Sequence, residues 1–227
     1  MTPSAIPNLK AERELFDGGA PVVLACDEVG RGALAGPVAV GLVLIDASVR
    51  RMPAGLRDSK MMTEPRREAM APRAAAWVRG WAVGEASAAE IDELGIMACL
   101  GLAGARAYAA LTAAQEVALD TPLLLDGNYD WLSASIERRA RVTTRIKADR
   151  DCASVAAASV IAKVHRDRGM RVSHEDFPVY GWDENKGYSS RGHFAALAEH
   201  GPSALHRHTW LHERPEEAPT LFDLGVG

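Results

Sequence analysis

An α/β fold, a mixed sheet flanked by helices, is the architecture this sequence predicts, and three observations carry the prediction. Two apolar, β-branched runs, PVVLACDE and PVAVGLVLI, stand on either side of the glycine-rich GRGALAG, which is the pattern of a hairpin. Further short apolar runs then alternate with long stretches rich in alanine and leucine. Three strands, a helical region, then strand and helix in turn are accommodated most economically by one sheet with helices packed against it.

Taken in order, the first strand closes on Asp27 and Glu28, and the second begins at Pro37. A loop with Pro53, Gly55 and the triplet Asp58-Ser59-Lys60 follows. Thr63-Glu64-Pro65 marks a helix start, since the N–H that proline lacks has no partner in a first turn anyway. Residues 77–86, WVRGWAVGEA, alternate in part and fit a third strand. Ser87 and Glu90 have capping-box spacing and open a helical region that runs, with a break near Gly95, to about Leu119. Residues 122–126 make a short buried strand ending in a Gly-Asn turn, and residues 142–147 another. Residues 154–171 are helical and 177–188 read as a loop. Ser189 or Ser190 caps a short helix to His200, and Ser203 caps a further one, giving a small C-terminal helical part. The division expected is an N-terminal extension over 1–20, one domain over 21–211, and a flexible acidic tail over 212–227.

Composition sets bounds. With 48% hydrophobic and 25% charged residues, 227 residues suffice for one substantial core. No basic segment followed by an apolar one opens the chain, and the longest apolar stretch, residues 38–45, is far short of the roughly 18 needed for a membrane span. A soluble, cytoplasmic protein without a membrane partner is expected, with monomer as the default. Cys26, Cys99 and Cys152 are odd in number and form no C-x-x-C pair, so small core residues are expected, not a disulfide framework or thiolate zinc site. Tyr180, Trp182 and the histidines at 193, 200, 206 and 208 lack ligand spacing and are assigned to packing or the surface. No G-x-S-x-G or Cys/His pairing points to a covalent nucleophile. The net charge of -4 decides nothing about nucleic acid, because Lys and Arg cluster around 50–73, 138–150 and 163–171.

The acids are more informative. Asp27 and Glu28 end the first strand, Asp126 ends the fourth, and Asp149 follows the fifth. In open α/β sheets the working site lies beyond the carboxyl ends of strands, where Asp27 and Asp126 meet if their strands are adjacent and parallel. The sequence offers these acids no obvious set of cationic partners. Hard oxygen ligands suit Mg²⁺ or Mn²⁺, and converging carboxylates hold two such ions about 3.5–4 Å apart. Singly, each acid reads equally well as a turn former, and Gly30-Arg31-Gly32 as a tight turn; the grouping favours a site.

The segment DEVGRG at 27–32 resembles the signature of type 2 ribonucleases H, the ribonuclease HII family. DSK at 58–60, LLDGN at 124–128, KAD at 147–149, AASVIAKVHRD at 157–167, YGWDENKGY at 180–188 and HGPSALHR at 200–207 resemble family segments in family order. The resemblance spans about residues 22–210. It implies a ribonuclease H-like fold, with Mn²⁺ or Mg²⁺ held by Asp27, Glu28, Asp126 and Asp149. It implies as substrates RNA/DNA hybrids and duplex DNA containing single ribonucleotides, cut on their 5′ side to leave 3′-hydroxyl and 5′-phosphate ends. The backbone of Gly30, Arg31 and Gly32, with Tyr188, would sense the ribonucleotide, since glycine permits close approach and the 2′-hydroxyl distinguishes RNA. Phosphate contacts are implied for Ser59, Lys60, Ser159, Lys163 and Lys186; Ser159 and Lys163, at i and i+4, share a helix face. Two rivals are a metal nuclease acting on DNA alone, against which the GRG segment and Tyr188 speak, and a non-catalytic hybrid binder, against which the full set of four acids speaks. In the tail, Leu221 and Phe222 either fold back onto the domain or dock in the groove of a sliding clamp.

Overall fold

The computed structural model describes residues 6–136 and 142–211. Helix α1 (Lys10–Asp17) precedes β1 (Val22–Val29) and β2 (Val38–Asp46), which pair antiparallel from Val22 opposite Asp46 to Val29 opposite Ala39. Then come α2 (Glu64–Trp77), β3 (Gly80–Ala86), α3 (Ala88–Leu94) and α4 (Ile96–Ala114). The remaining elements are β4 (Leu123–Asp126), β5 (Val142–Arg145), α5 (Ala148–Asp151), α6 (Ala153–Asp176), α7 (Trp182–Asn185) and α8 (Arg191–His200). The sheet order is β3-β2-β1-β4-β5, with β4 parallel to both β1 and β5, so the sheet is mixed as expected.

Both faces of the sheet are covered, which is why β1 and β2 read as nearly continuous apolar runs. Val23, Ala25, Val43 and Ile45 pack against α2 and the alanine-rich face of α6. On the other face, Leu24, Cys26, Leu42 and Leu44 pack against α4 through Leu100, Ala103, Ala107 and Leu111. Helix α4 is long and apolar enough, by length and composition, to cross a bilayer, yet this face of it is buried on the sheet. Two glycines let the helices approach closely. A Cβ on Gly41 would stand 2.5 Å from the Ala158 carbonyl oxygen, and one on Gly84 would stand 2.1 Å from that of Ala103. All three cysteines are buried and free.

Several boundaries differ from the sequence reading. Trp77 completes α2, its indole N–H donating to the Arg51 carbonyl at 2.8 Å, so the third strand begins only at Gly80. Helix α4 stops at Ala114, because Gln115 turns extended. Helix α6 continues past residue 171 to Asp176. Residues 177–188 are not all loop: they hold a 3-10 turn at Pro178–Tyr180 and α7, organised around buried Trp182, which stacks on Tyr180 at 5.1 Å. Ser203 caps no helix. Its amide N–H instead donates to His206 Nδ1 at 2.9 Å, because His206 is drawn into an isolated bridge with Ala35.

The segment read as an extension contributes a helix to the domain. Asn8 bridges to Cys152, and Glu12 of α1 is fully buried against the start of α6. There its Oε1 accepts the Ser154 amide N–H at 2.8 Å and the Ser154 hydroxyl at 2.7 Å. Cys152, at the N-cap of α6, supplies no side-chain bond, so Glu12 satisfies an orphan amide of α6 from another element, at the end where the helix dipole favours negative charge. Burial raises the Glu12 pKa, and the bonds from Ser154 oppose that shift. Glu12→Ala is expected to destabilise the fold by about 1–3 kcal/mol, the cost of leaving buried donors unpaired, measured as a shift of the urea midpoint at unchanged slope.

Candidate active site

The parallel pairing of β1 with β4 runs from Leu24 opposite Leu123 to Cys26 opposite Leu125. One step further, Asp27 and Asp126 leave neighbouring strands on the same side. Strand β1 does not end there, however: it continues along β2 to Val29, and it is β4 that stops at Asp126. Strand side chains alternate, so Asp27 shares the α6 face with Val23 and Ala25, while Glu28 shares the α4 face with Leu24 and Cys26. Asp149 comes from α5, where Lys147 adopts a left-handed conformation (φ 62°) that turns the chain back from β5. The Asp149 amide N–H lies 3.3 Å from Asp126 Oδ1, joining these two acids directly.

Asp27 and Asp149 are buried. Burial, reinforced by the charge of Glu28, pushes the Asp27 carboxyl well above the ordinary carboxylate range, and a hydrogen bond from Ser159 pulls the other way. Glu28 is raised by burial and by Asp126, against Arg31; Asp149 is raised by burial, Asp126 and Asp58, against Lys60. Cationic partners therefore exist, contrary to the expectation from sequence: Lys60 Nζ lies 3.5 Å from Asp149 Oδ2, and Arg31 lies 3.9 Å from Glu28. Burial works against the Lys60 ammonium, but Asp27 and Asp149 outweigh it and raise its pKa. Two partners at the rim leave the centre uncompensated. Asp27 Oδ1 is buried without a hydrogen-bond partner. Among the described residues no three His, Cys, Asp or Glu side chains stand in a ready-made cage, as the opposite faces of Asp27 and Glu28 would lead one to expect. An orphaned carboxylate oxygen amid mutually repelling acids nevertheless suits a hard divalent cation.

The other predicted residues divide into two groups. Lys60 is beside the acids with its side chain 69% exposed, and Asp58 caps its turn by accepting the Lys60 amide N–H at 2.9 Å. Ser59 and Ser159 are buried with their hydroxyls 2.8 Å apart, behind Asp27. Ser159 thus supports a carboxylate in this structure, and does not share an exposed face with Lys163. Lys163 is bound to Asp167 at 2.5 Å, and Lys186 is buried between Glu64 and the Asp183 carbonyl. Neither of these ammonium groups is brought to the acids.

Residues 30–32 form the bend that leaves β1. Gly30 has φ +82°, and a Cβ there would meet Arg166 Nε at 2.1 Å, so glycine is required. Its amide N–H donates to the Tyr188 hydroxyl at 3.1 Å. The Tyr188 ring stands 5.3 Å from Lys163 Nζ and 5.2 Å from Arg166 Cζ. Arg31 and Gly32 are exposed. A cleft of about 180 Å³ beside this bend is lined by Glu28, Arg31, Asp126, Asn128 and Tyr129. A larger cavity of about 650 Å³ lies elsewhere, between α2, α6 and edge strand β3, and is mostly apolar. Its size does not make it the active site, since it holds none of the four acids.

Sequence reasoning missed Arg166 and Arg207. Both are fully buried, and both point their guanidinium groups at backbone carbonyls. They lie inside the quoted segments AASVIAKVHRD and HGPSALHR, but an arginine in a sequence gives no sign that it will be buried.

The family model described as Ribonuclease HII matches residues 24–213. A Ribonuclease HII of Streptomyces avermitilis is 44% identical over 210 residues, covering 91% of this chain and 84% of the relative. Among solved structures, the RNase HII in a PCNA:RNase HII complex from Archaeoglobus fulgidus superposes with a TM-score of 0.66 at 26% identity, covering 85% of this chain and 96% of that one. Bst-RNase HIII in complex with Mn²⁺ superposes with a TM-score of 0.60 at 21% identity, covering 81% and 64%; at that identity it supports the fold alone.

The raised carboxyl pKa values have a consequence for stability without metal. Asp27, Glu28 and Asp149 bind protons more tightly folded than unfolded, so stability falls as pH rises from the ordinary carboxylate range through their raised values. Asp27→Asn is expected to flatten that fall and to raise the thermal midpoint in EDTA near neutral pH, followed by melts across a pH series. A midpoint lowered by the substitution at neutral pH would count against the repulsion described.

Proposed function

The chain belongs to the ribonuclease HII family and is a ribonuclease H, and from that premise we propose that it is an endonuclease cutting the RNA strand of RNA/DNA hybrids and the 5′ side of single ribonucleotides embedded in duplex DNA. The observation that supports this reading is the juxtaposition of the acids with residues 30–32, whose first amide is already engaged by Tyr188. In the reaction, water adds to phosphorus, the bond to the 3′ oxygen breaks, and that oxygen takes up a proton, leaving 3′-hydroxyl and 5′-phosphate ends.

Asp27, Glu28, Asp126 and Asp149 would hold a pair of divalent ions, Mg²⁺ or Mn²⁺, which when bound supply Lewis acidity and a water acidic enough to attack at neutral pH. Lys60, exposed at the rim, offers its charge to an incoming phosphate. The backbone at residues 30–32 contacts the sugar without reading a base, and only the 2′-hydroxyl distinguishes RNA from DNA there. The Tyr188 ring adds an apolar surface for the neighbouring sugar. A nuclease acting on DNA alone would not need this arrangement.

The partner named for the Archaeoglobus protein is PCNA. For this chain, a sliding-clamp contact through Leu221 and Phe222 falls in residues 212–227, outside the described residues. Deleting 218–227 is expected to weaken clamp binding in surface plasmon resonance, and equal affinity rejects the contact.

The decisive assay uses a labelled DNA duplex with one ribonucleotide and an all-DNA control. Cleavage is expected 5′ of the ribonucleotide in Mg²⁺ or Mn²⁺, none in EDTA, none of the control, and no dependence on the base. Asp126→Asn is expected to lose at least about a hundredfold in rate; normal turnover by that variant would overturn the site. Tyr188→Ala is expected to slow cleavage of the single-ribonucleotide duplex. A wild-type enzyme that demands several ribonucleotides in succession contradicts the sensing role.

A further inference from the structure

We propose that Arg207 is a positioning residue for ribonucleotide selectivity, aiming the Arg31 and Gly32 amide N–H groups at the sugar of the substrate. The inference rests on the reading that residues 30–32 contact that sugar. Arg207 Nη2 donates to the Gly30 carbonyl at 2.7 Å and to that of Gly36 at 3.1 Å, and Nη1 donates to the Arg31 carbonyl at 2.9 Å. The carbonyl of Gly30 belongs to the same planar peptide as the N–H of Arg31, and that of Arg31 to the same peptide as the N–H of Gly32. In a trans peptide the N–H points opposite to the C=O. Fixing the two carbonyls on a buried guanidinium therefore turns the two amides outward, on residues that are exposed. Neither amide has a hydrogen-bond partner among the described residues.

The clamp is rigid because its own surroundings fix it. A planar guanidinium forks across several acceptors, which an ammonium cannot do. The Arg207 N–H donates to the Leu34 carbonyl at 2.9 Å, and the Trp210 ring covers the guanidinium at 4.8 Å. Arg166 does the same work one turn further along, donating to the carbonyls of Ala35 at 3.0 Å and Pro37 at 2.8 Å. The bonds of both guanidinium groups go to carbonyl dipoles, and burial lowers both pKa values, that of Arg207 to about 10. Burying a cation without a counter-ion is costly, and the hydrogen bonds that offset that cost here go to the carbonyls of the bend beside the acids.

The test compares the full-length wild type with Arg207→Lys, which keeps the charge but not the fork. Two readouts are taken below the melting midpoint of each protein: hydrogen exchange of the Gly30 and Ala33 amides, which are protected by the Tyr188 hydroxyl and by the Gly30 carbonyl that Arg207 holds, and kcat and KM on a duplex with one ribonucleotide. The variant is expected to exchange both amides faster and to lose about 10²-fold in kcat, with KM changing far less, the signature of a misaligned reacting group. A folded variant with unaltered kcat overturns the proposal, whether or not exchange changes, and so does a loss confined to KM. If Arg207→Lys does not fold, Trp210→Ala, which uncovers the guanidinium while keeping it, is expected to move both readouts the same way. No change there overturns the proposal equally. A wild-type enzyme that ignores single ribonucleotides sinks the functional reading instead, while the exchange comparison still reports whether Arg207 holds the bend.

Discussion

Parallel pairing in register brings Asp27 and Asp126 out side by side, and Asp149 is bonded to Asp126 through its amide. Like charges gathered under burial oppose folding, as the raised carboxyl pKa values of Asp27, Glu28 and Asp149 record. Much of the architecture serves to hold that cluster against its own repulsion. Helix α6 presses onto the sheet closely enough that Gly41 has room for no side chain. Its Ser159 meets Asp27 from behind, and its N-terminus is secured by Glu12 from α1. The tension is useful: a site that repels itself when empty gains the most from a divalent cation.

The loop after β1 is under the opposite regime. Its carbonyls at Gly30, Arg31, Ala35 and Gly36 are drawn inward by two buried arginines, one from α6 and one from beyond α8, and the Arg31 and Gly32 amides are left facing out. The C-terminal helical part is therefore a backing for the bend and not a separate module. Buried His193 and His206, 3.0 Å apart, extend that backing: His193 Nδ1 lies 2.9 Å from the Tyr188 carbonyl, and His206 takes the Ser203 amide. Burial lowers both pKa values, His206 to about 4, so both rings are neutral near physiological pH and each nitrogen has a fixed donor or acceptor role. In the function proposed, metal binding and sugar recognition would thus be held by different means, charge for the first and backbone direction for the second. They meet at the two residues between Glu28 and Arg31.

The strands, the capping box of Ser87 and Glu90, and the buried cysteines were legible in the sequence, because alternation, capping spacing and side-chain size act locally. The ordered segments from DEVGRG to HGPSALHR likewise marked the family. Tertiary structure decided what those residues face. Asp27 and Glu28 are adjacent in sequence but diverge across the strand, Lys163 and Lys186 are taken by Asp167 and Glu64, and Arg166 and Arg207 turn inward. Periodicity places a side chain on a face of its own element, whereas its partner, its burial and its charge state depend on groups as far off as Gly30 is from Arg207 and are set only when the elements pack.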